Sequence, residues 1–187
     1  ETGARGKGVM VFVLDSGIDA EHLDISPNLN SELSKSFVPG EDWNVRDEPV
    51  FNHGTHVAGT IAGADNGWGM IGVAPEATIV AVKVLSEYDG SGLFSWIIEG
   101  IIYASDSGAD IINMSLSGLN LKRFGRNVAH VKNAINRATT YAYQNGVTVI
   151  AAAGNDGFNR NHLKDEEGNP YMDLIVMPAD GPNVVQV

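Results

Sequence analysis

Three largely apolar runs, residues 9–14, 78–85 and 147–153, with a further buried-strand candidate at 110–116, constrain this chain more than any other feature. A strand with one wet face alternates apolar and polar residues, whereas one covered on both faces does not. Between the runs lie helical patterns. Residues 94–104 fit a helix buried on more than one side, with Gly108 as a C-cap. Residues 127–145 are amphipathic, with Val128, Val131, Ala134, Ile135 and Ala138 on one face and Gly146 closing them. Strand, helix, strand, helix, strand in this order predicts an α/β fold with parallel strands and right-handed crossovers.

In such a sheet, sites form at the carboxyl ends of the strands. The first run ends in Asp15-Ser16-Gly17-Ile18-Asp19, a sharp turn, and the last ends in Gly154-Asn155-Asp156-Gly157. Residues 52–63 are mostly Gly, Ala and Thr and read as a tightly packed helix with His53 at or near its N-terminus. An Asp, a His and an Asn can therefore converge on one crevice. His53 and His56, at i and i+3, share a helix face, so a metal-binding α/β module using Asp15, His53 and His56 fits the local spacing equally well.

The remaining stretches are irregular. Residues 22–48 carry Pro27, Pro39 and Gly40 and read as surface loop, with a short strand near 36–38. Residues 158–171 are polar and loop-like, and 174–176 and 184–187 are short strand candidates.

The three motifs, in this order, resemble the subtilisin-like serine peptidases. The Asp motif stands as Val13-Leu14-Asp15-Ser16-Gly17-Ile18-Asp19, the His motif as His53-Gly54-Thr55-His56-Val57-Ala58-Gly59-Thr60, and the oxyanion motif as Ala152-Ala153-Gly154-Asn155-Asp156-Gly157. Gly90-Ser91-Gly92 and Asn113-Met114-Ser115-Leu116-Ser117-Gly118 are similar to the family's two substrate-binding segments. The resemblance implies a three-layer α/β fold, with a mainly parallel central sheet and helices on both faces. It implies a serine endopeptidase with His53 as general base, Asp15 as its orienter and Asn155 as oxyanion donor. Gly90, Ser91, Gly92, Ser115, Leu116 and Ser117 would receive an extended peptide, and His56 would be structural. The family commonly has Gly where Ser117 stands, so primary specificity departs from the usual pattern. A cis peptide at Met177–Pro178 is also implied.

A calcium-binding loop in many relatives matches residues 64–70, with Asp24, Asp65 and Asn66 as candidate ligands. Calcium takes six to eight oxygens, which these residues and loop carbonyls supply only in part.

The resembling family also needs a nucleophilic Ser in a Gly-Thr-Ser-Met-Ala-like segment, and none occurs in the sequence. The expectation is that residues 1–187 form a partial, single catalytic domain, truncated before the nucleophile, which lies beyond Val187 or on the protein's own C-terminal portion as a second chain. Such a polypeptide would be inactive alone. The alternative is a non-catalytic binding protein with a degenerate site.

Composition narrows the partners. With 23 acidic against 12 basic side chains, the net charge of -11 disfavours nucleic acid. Cys is absent, which removes disulfide and thiol chemistry. No segment approaches the ~18 apolar residues of a membrane span. The composition suits a secreted or a cytosolic protein alike; the resemblance favours secretion.

Overall fold

The computed structural model describes residues 3–45, 51–121, 126–155 and 174–187. The expected loop at 158–171, Asp156 and Gly157 of the oxyanion motif, and residues 46–48 of the 22–48 loop lie outside them.

The apolar runs form the parallel strands the pattern predicts. β1 (Met10–Asp15) lies between β3 (Thr78–Lys83) and β4 (Ile111–Met114), and β4 continues to β6 (Thr148–Ala151). The short β2 (Lys35–Ser36) edges β3, and β8 (Val184–Gln186) edges β6, giving the order β2-β3-β1-β4-β6-β8. Every pairing in this sheet is parallel. Chain order runs one way from β1 towards β3 and the other way towards β4. The topological switch thus falls at β1, whose carboxyl end carries Asp15.

Both faces of β1 and β3 are packed, which is why these two strands lack alternation. On one face Val11, Val13, Ile79 and Ala81 meet Val57, Ala58 and Ala62 of α1 (His53–Ala62). On the other, Phe12, Leu14, Val80, Val82, Ile112, Met114, Val149 and Ala151 meet two helices. These are α2 (Phe94–Asp106), through Ile97, Ile101 and Ala104, and α3 (Arg126–Gln144), through Ala138 and Ala142. The layers are therefore helix, sheet and helix. Gly108 and Gly146, expected to close helices, take the left-handed backbone such closures need, at φ 84° and 83°.

Two features differ from the sequence reading. α1 is not packed all round: His56 and Thr60 are exposed, because α1 covers only the β1–β3 half of its face. Beyond it no helix among the described residues packs on the same face of β4, β6 and β8. Ile111, Asn113 and Ile150 are half-buried there, and Val185 and Val187 are 51% and 71% exposed. The second difference is an extra strand. β5 (Gly118–Leu121) pairs antiparallel with β7 (Leu174–Met177) as a separate two-stranded sheet. The Met177–Pro178 bond after β7 is cis.

Candidate active site

The site begins with the turn after β1. Asp15 is wholly buried, and its Oδ1 accepts the Ser16 N–H at 2.7 Å. Gly17 follows at φ 97°, backing so closely on Trp43 and Val45 that a side chain would not fit. The turn then docks on the N-terminus of α1. Asn52, the N-cap, makes no side-chain cap, and the Ser16 hydroxyl accepts the Gly54 N–H at 3.0 Å instead. The Asp19 N–H donates to Thr55 Oγ1 at 3.0 Å. A Cβ on Gly54 would overlap the Gly17 carbonyl, so the absence of a side chain sets how closely α1 approaches β1.

This docking brings His53 Nδ1 to 2.9 Å from both Asp15 oxygens. The hydrogen bond to Asp15, reinforced by its charge, holds the imidazole above its ordinary pKa of 6.5, against the pull of partial burial. The Phe51 ring stacks on the imidazole, with centroids 5.5 Å apart and planes 19° from parallel. The carboxylate thus fixes one ring nitrogen, and the ring opens on a cavity.

That cavity, about 560 Å³, is lined by His53, Gly90, Ser91, Gly92, Ser115, Leu116, Ser117 and Asn155, among others. Every expected catalytic and substrate-binding residue except the buried Asp15 borders it. The two rims are built differently. Residues 90–92 follow a tight turn at 87–89 that the Gly90 N–H closes on the Ser86 carbonyl at 3.0 Å; Asp89 Oδ1 accepts the Ser91 N–H at 2.8 Å, and Gly90 lies against the Phe51 ring. Residues 115–117 lead from β4 into β5, and Ser115 Oγ accepts from Asn113 Nδ2 at 3.0 Å. A larger hollow, about 1020 Å³ between α2 and α3, contains none of these residues.

The metal-module alternative does not assemble. His56 borders a separate cavity with Asp19, His22 and Trp68, away from the His53 cavity. Among the described residues no three His, Cys, Asp or Glu side chains are placed to share a metal.

Of the calcium candidates, the fold brings two together and not the third. Asp24 Oδ2 accepts the Met70 N–H at 3.0 Å, and Asn66 Nδ2 lies 3.4 Å from Asp24 Oδ1. Asp65 turns away to Arg5, 2.7 Å distant. Asn66 thus turns an N–H rather than its oxygen to Asp24, and the candidates supply too few oxygens for a cation that takes six to eight.

Sequence reasoning missed Ser16 as the clamp between β1 and α1, and missed Lys83. The Lys83 ammonium, wholly buried, donates to the Ser16 carbonyl at 2.5 Å. A lysine ending an apolar run was the available signal.

Comparison with known proteins decides the lineage. The profile of the Subtilase family matches residues 6–186. The chain belongs to the subtilase family. This subtilase is 44% identical over 155 residues to Subtilisin E of Bacillus subtilis (strain 168), an alignment covering 83% of the chain and 36% of that protein. It is 42% identical over 158 residues to the Major intracellular serine protease of the same organism, covering 83% and 45%. Among solved structures, a psychrophilic protease matches at a TM-score of 0.74 and 35% identity, covering 98% of this chain and 53% of that one. The epidermin leader peptide processing serine protease of Staphylococcus aureus matches at 0.77 and 25%, covering 95% and 45%. The subtilase chain thus spans roughly a third to a half of the length of the curated relatives it matches.

Proposed function

We propose that the chain supplies the base, its orienter, the oxyanion donor and both substrate rims of a serine endopeptidase. The Asp15–His53 bond beside a cavity that Asn155 also lines carries this reading. Asp15 keeps Nδ1 protonated, leaving Nε2 free to take a hydroxyl proton and return it to the leaving amine. Asn155, through its amide N–H₂, donates to the oxygen that gains charge as the peptide carbonyl is attacked. Loss of this donor in subtilisin itself costs about 10²–10³ in turnover. An extended peptide lies between residues 90–92 and 115–117, paired through its main chain, with pockets reading alternate side chains.

The nucleophile comes from a serine outside these residues. Every serine of the chain lies among the described residues, and none is hydrogen-bonded to His53. The segment bearing it would pack beside α1, on the face of β4, β6 and β8 that no helix among the described residues covers.

A serine-directed fluorophosphonate tests this. The 187-residue polypeptide stays unlabelled, a longer chain carrying the serine is labelled and cleaves an unfolded protein, and His53→Ala in the longer chain abolishes both. Labelling of the 187-residue polypeptide, or cleavage undiminished by His53→Ala, overturns the proposal.

A further inference from the structure

Lys83 ends β3 wholly buried, after the apolar run Ile79-Val80-Ala81-Val82. Three acceptors surround its ammonium: the Ser16 carbonyl at 2.5 Å, Glu41 Oε2 at 3.0 Å and Glu87 Oε2 at 3.4 Å. They match its three protons. Ion clusters of this kind are a poor source of net stability, because desolvation consumes most of the attraction. What an apolar side chain could not supply here is a directional hold on a backbone carbonyl.

Each acceptor leads to a different part of the site. Ser16 donates its N–H to the Asp15 carboxylate and accepts the Gly54 N–H on its hydroxyl, so Lys83 adds a third hold on the residue joining β1 to α1. The Glu87 carbonyl accepts the Phe51 N–H at 2.8 Å, and Phe51 stacks on His53. Glu41 accepts from Ser86 Oγ at 2.8 Å and from the Glu87 N–H at 2.9 Å. The Ser86 N–H in turn donates to the Ser91 carbonyl at 2.7 Å, in the rim of the cavity.

We propose that Lys83 is a positioning residue: its ammonium, clamped between Ser16, Glu41 and Glu87, sets the Asp15 carboxylate and the Ser91 rim relative to His53. The consequence for turnover rests on the peptidase reading, but the consequence for His53 does not.

The test reads His53 directly by NMR in the 187-residue chain, using Lys83→Met and the charge-balanced Lys83→Met/Glu41→Gln, with the exposed Lys7→Met as reference. The expected result in either Lys83 variant is an upfield-shifted, broadened His53 Nδ1 proton and a lowered His53 titration, both unchanged in Lys7→Met. Should Lys83→Met unfold, the double variant, which leaves the cluster's net charge as it was, is the one read. In the longer chain, kcat falls at least tenfold, more than KM rises. A folded double variant whose His53 proton and titration match the parent's overturns the proposal. A longer chain without peptidase activity would overturn the peptidase reading alone and leave the His53 result standing.

Discussion

Asp15 and Lys83 are register partners across β1 and β3, and both are wholly buried. Val13 faces Ala81 one step earlier on the same face, which carries the apolar contact with α1. The two charges therefore extend an apolar stripe to its end. The ammonium bonds to Ser16, Glu41 and Glu87 rather than to the opposing carboxylate, and the Asp15 oxygens are left to His53 and the Ser16 N–H. Burial alone pushes the Glu41 carboxyl up, but the Glu87 N–H, the Ser86 hydroxyl and the Lys83 ammonium together pull it below its ordinary 4.5.

The His53–Asp15 bond gives folding a pH dependence whose sign is fixed. A histidine with a raised pKa in the fold favours the native state when protonated. Its contribution is fully present below the unfolded value of about 6.5 and is lost as pH rises through the raised native value. Asp15→Asn removes the cause, so His53 titrates lower, near its ordinary value, by NMR. In the longer chain turnover falls by about 10⁴, the size of effect the same exchange has in another Ser-His-Asp enzyme. Urea unfolding at several pH values should show the histidine contribution in the parent alone. An unmoved His53 titration would mean that the bond does not hold in solution.

Two glycines of α1 give opposite outcomes. A Cβ at Gly54 would overlap the Gly17 carbonyl and press on Asp15 Cβ at 3.1 Å, and backbone cannot yield cheaply. Gly54→Ala should destabilise by about 1–3 kcal/mol, the usual cost of overpacking. At Gly59 the nearest atom is Ile25 Cδ1, 4.0 Å away, so Gly59→Ala should stabilise by about 0.5–1 kcal/mol through helix propensity. Thermal midpoints that move in the same direction for both would refute the packing account.

These two positions also show what the sequence could and could not say. The small residues of 52–63 announced close packing, but only the neighbours decide that Gly54 is hemmed in and Gly59 is not. β1 and β3 were legible because strands covered on both faces lose alternation, whereas β4 and β6 alternate in burial and were legible from their place between helical patterns. Asp15, His53 and Asn155 were legible because each closes or opens a regular element in a recognisable motif. β5 was not: Gly118 reads as a turn, and its partner β7 lies more than fifty residues on. Lys83 was equally opaque, since Glu41 and Ser16, which give it meaning, are remote in sequence and adjacent only once β1, β2 and β3 align.

Calcium should leave the described loop unmoved. Asp24 is buried with Oδ2 on the Met70 N–H, Gly69 backs directly on that carboxylate, and Asp65 is held by Arg5. Binding a cation would require breaking these contacts and supplying several more oxygens. The thermal midpoint should therefore be the same in excess chelator and in millimolar calcium. A rise of several degrees with calcium would show that the loop rearranges around the ion.

Ser16→Ala separates the clamp from the carboxylate it serves. The substitution deletes the hydroxyl that caps the Gly54 N–H but leaves the Ser16 main-chain bonds to Asp15 and Lys83 available. A buried donor without an acceptor costs about 1–3 kcal/mol, and the loss falls on the first turn of α1, where His53 sits. Stability should drop by that amount, with hydrogen exchange at Gly54 accelerating more than at β1 amides. His53 should still titrate above its ordinary value, because the Asp15 bond survives. If exchange at Gly54 is unchanged, the helix end is capped by something other than Ser16, and the docking of α1 on the β1 turn needs another cause.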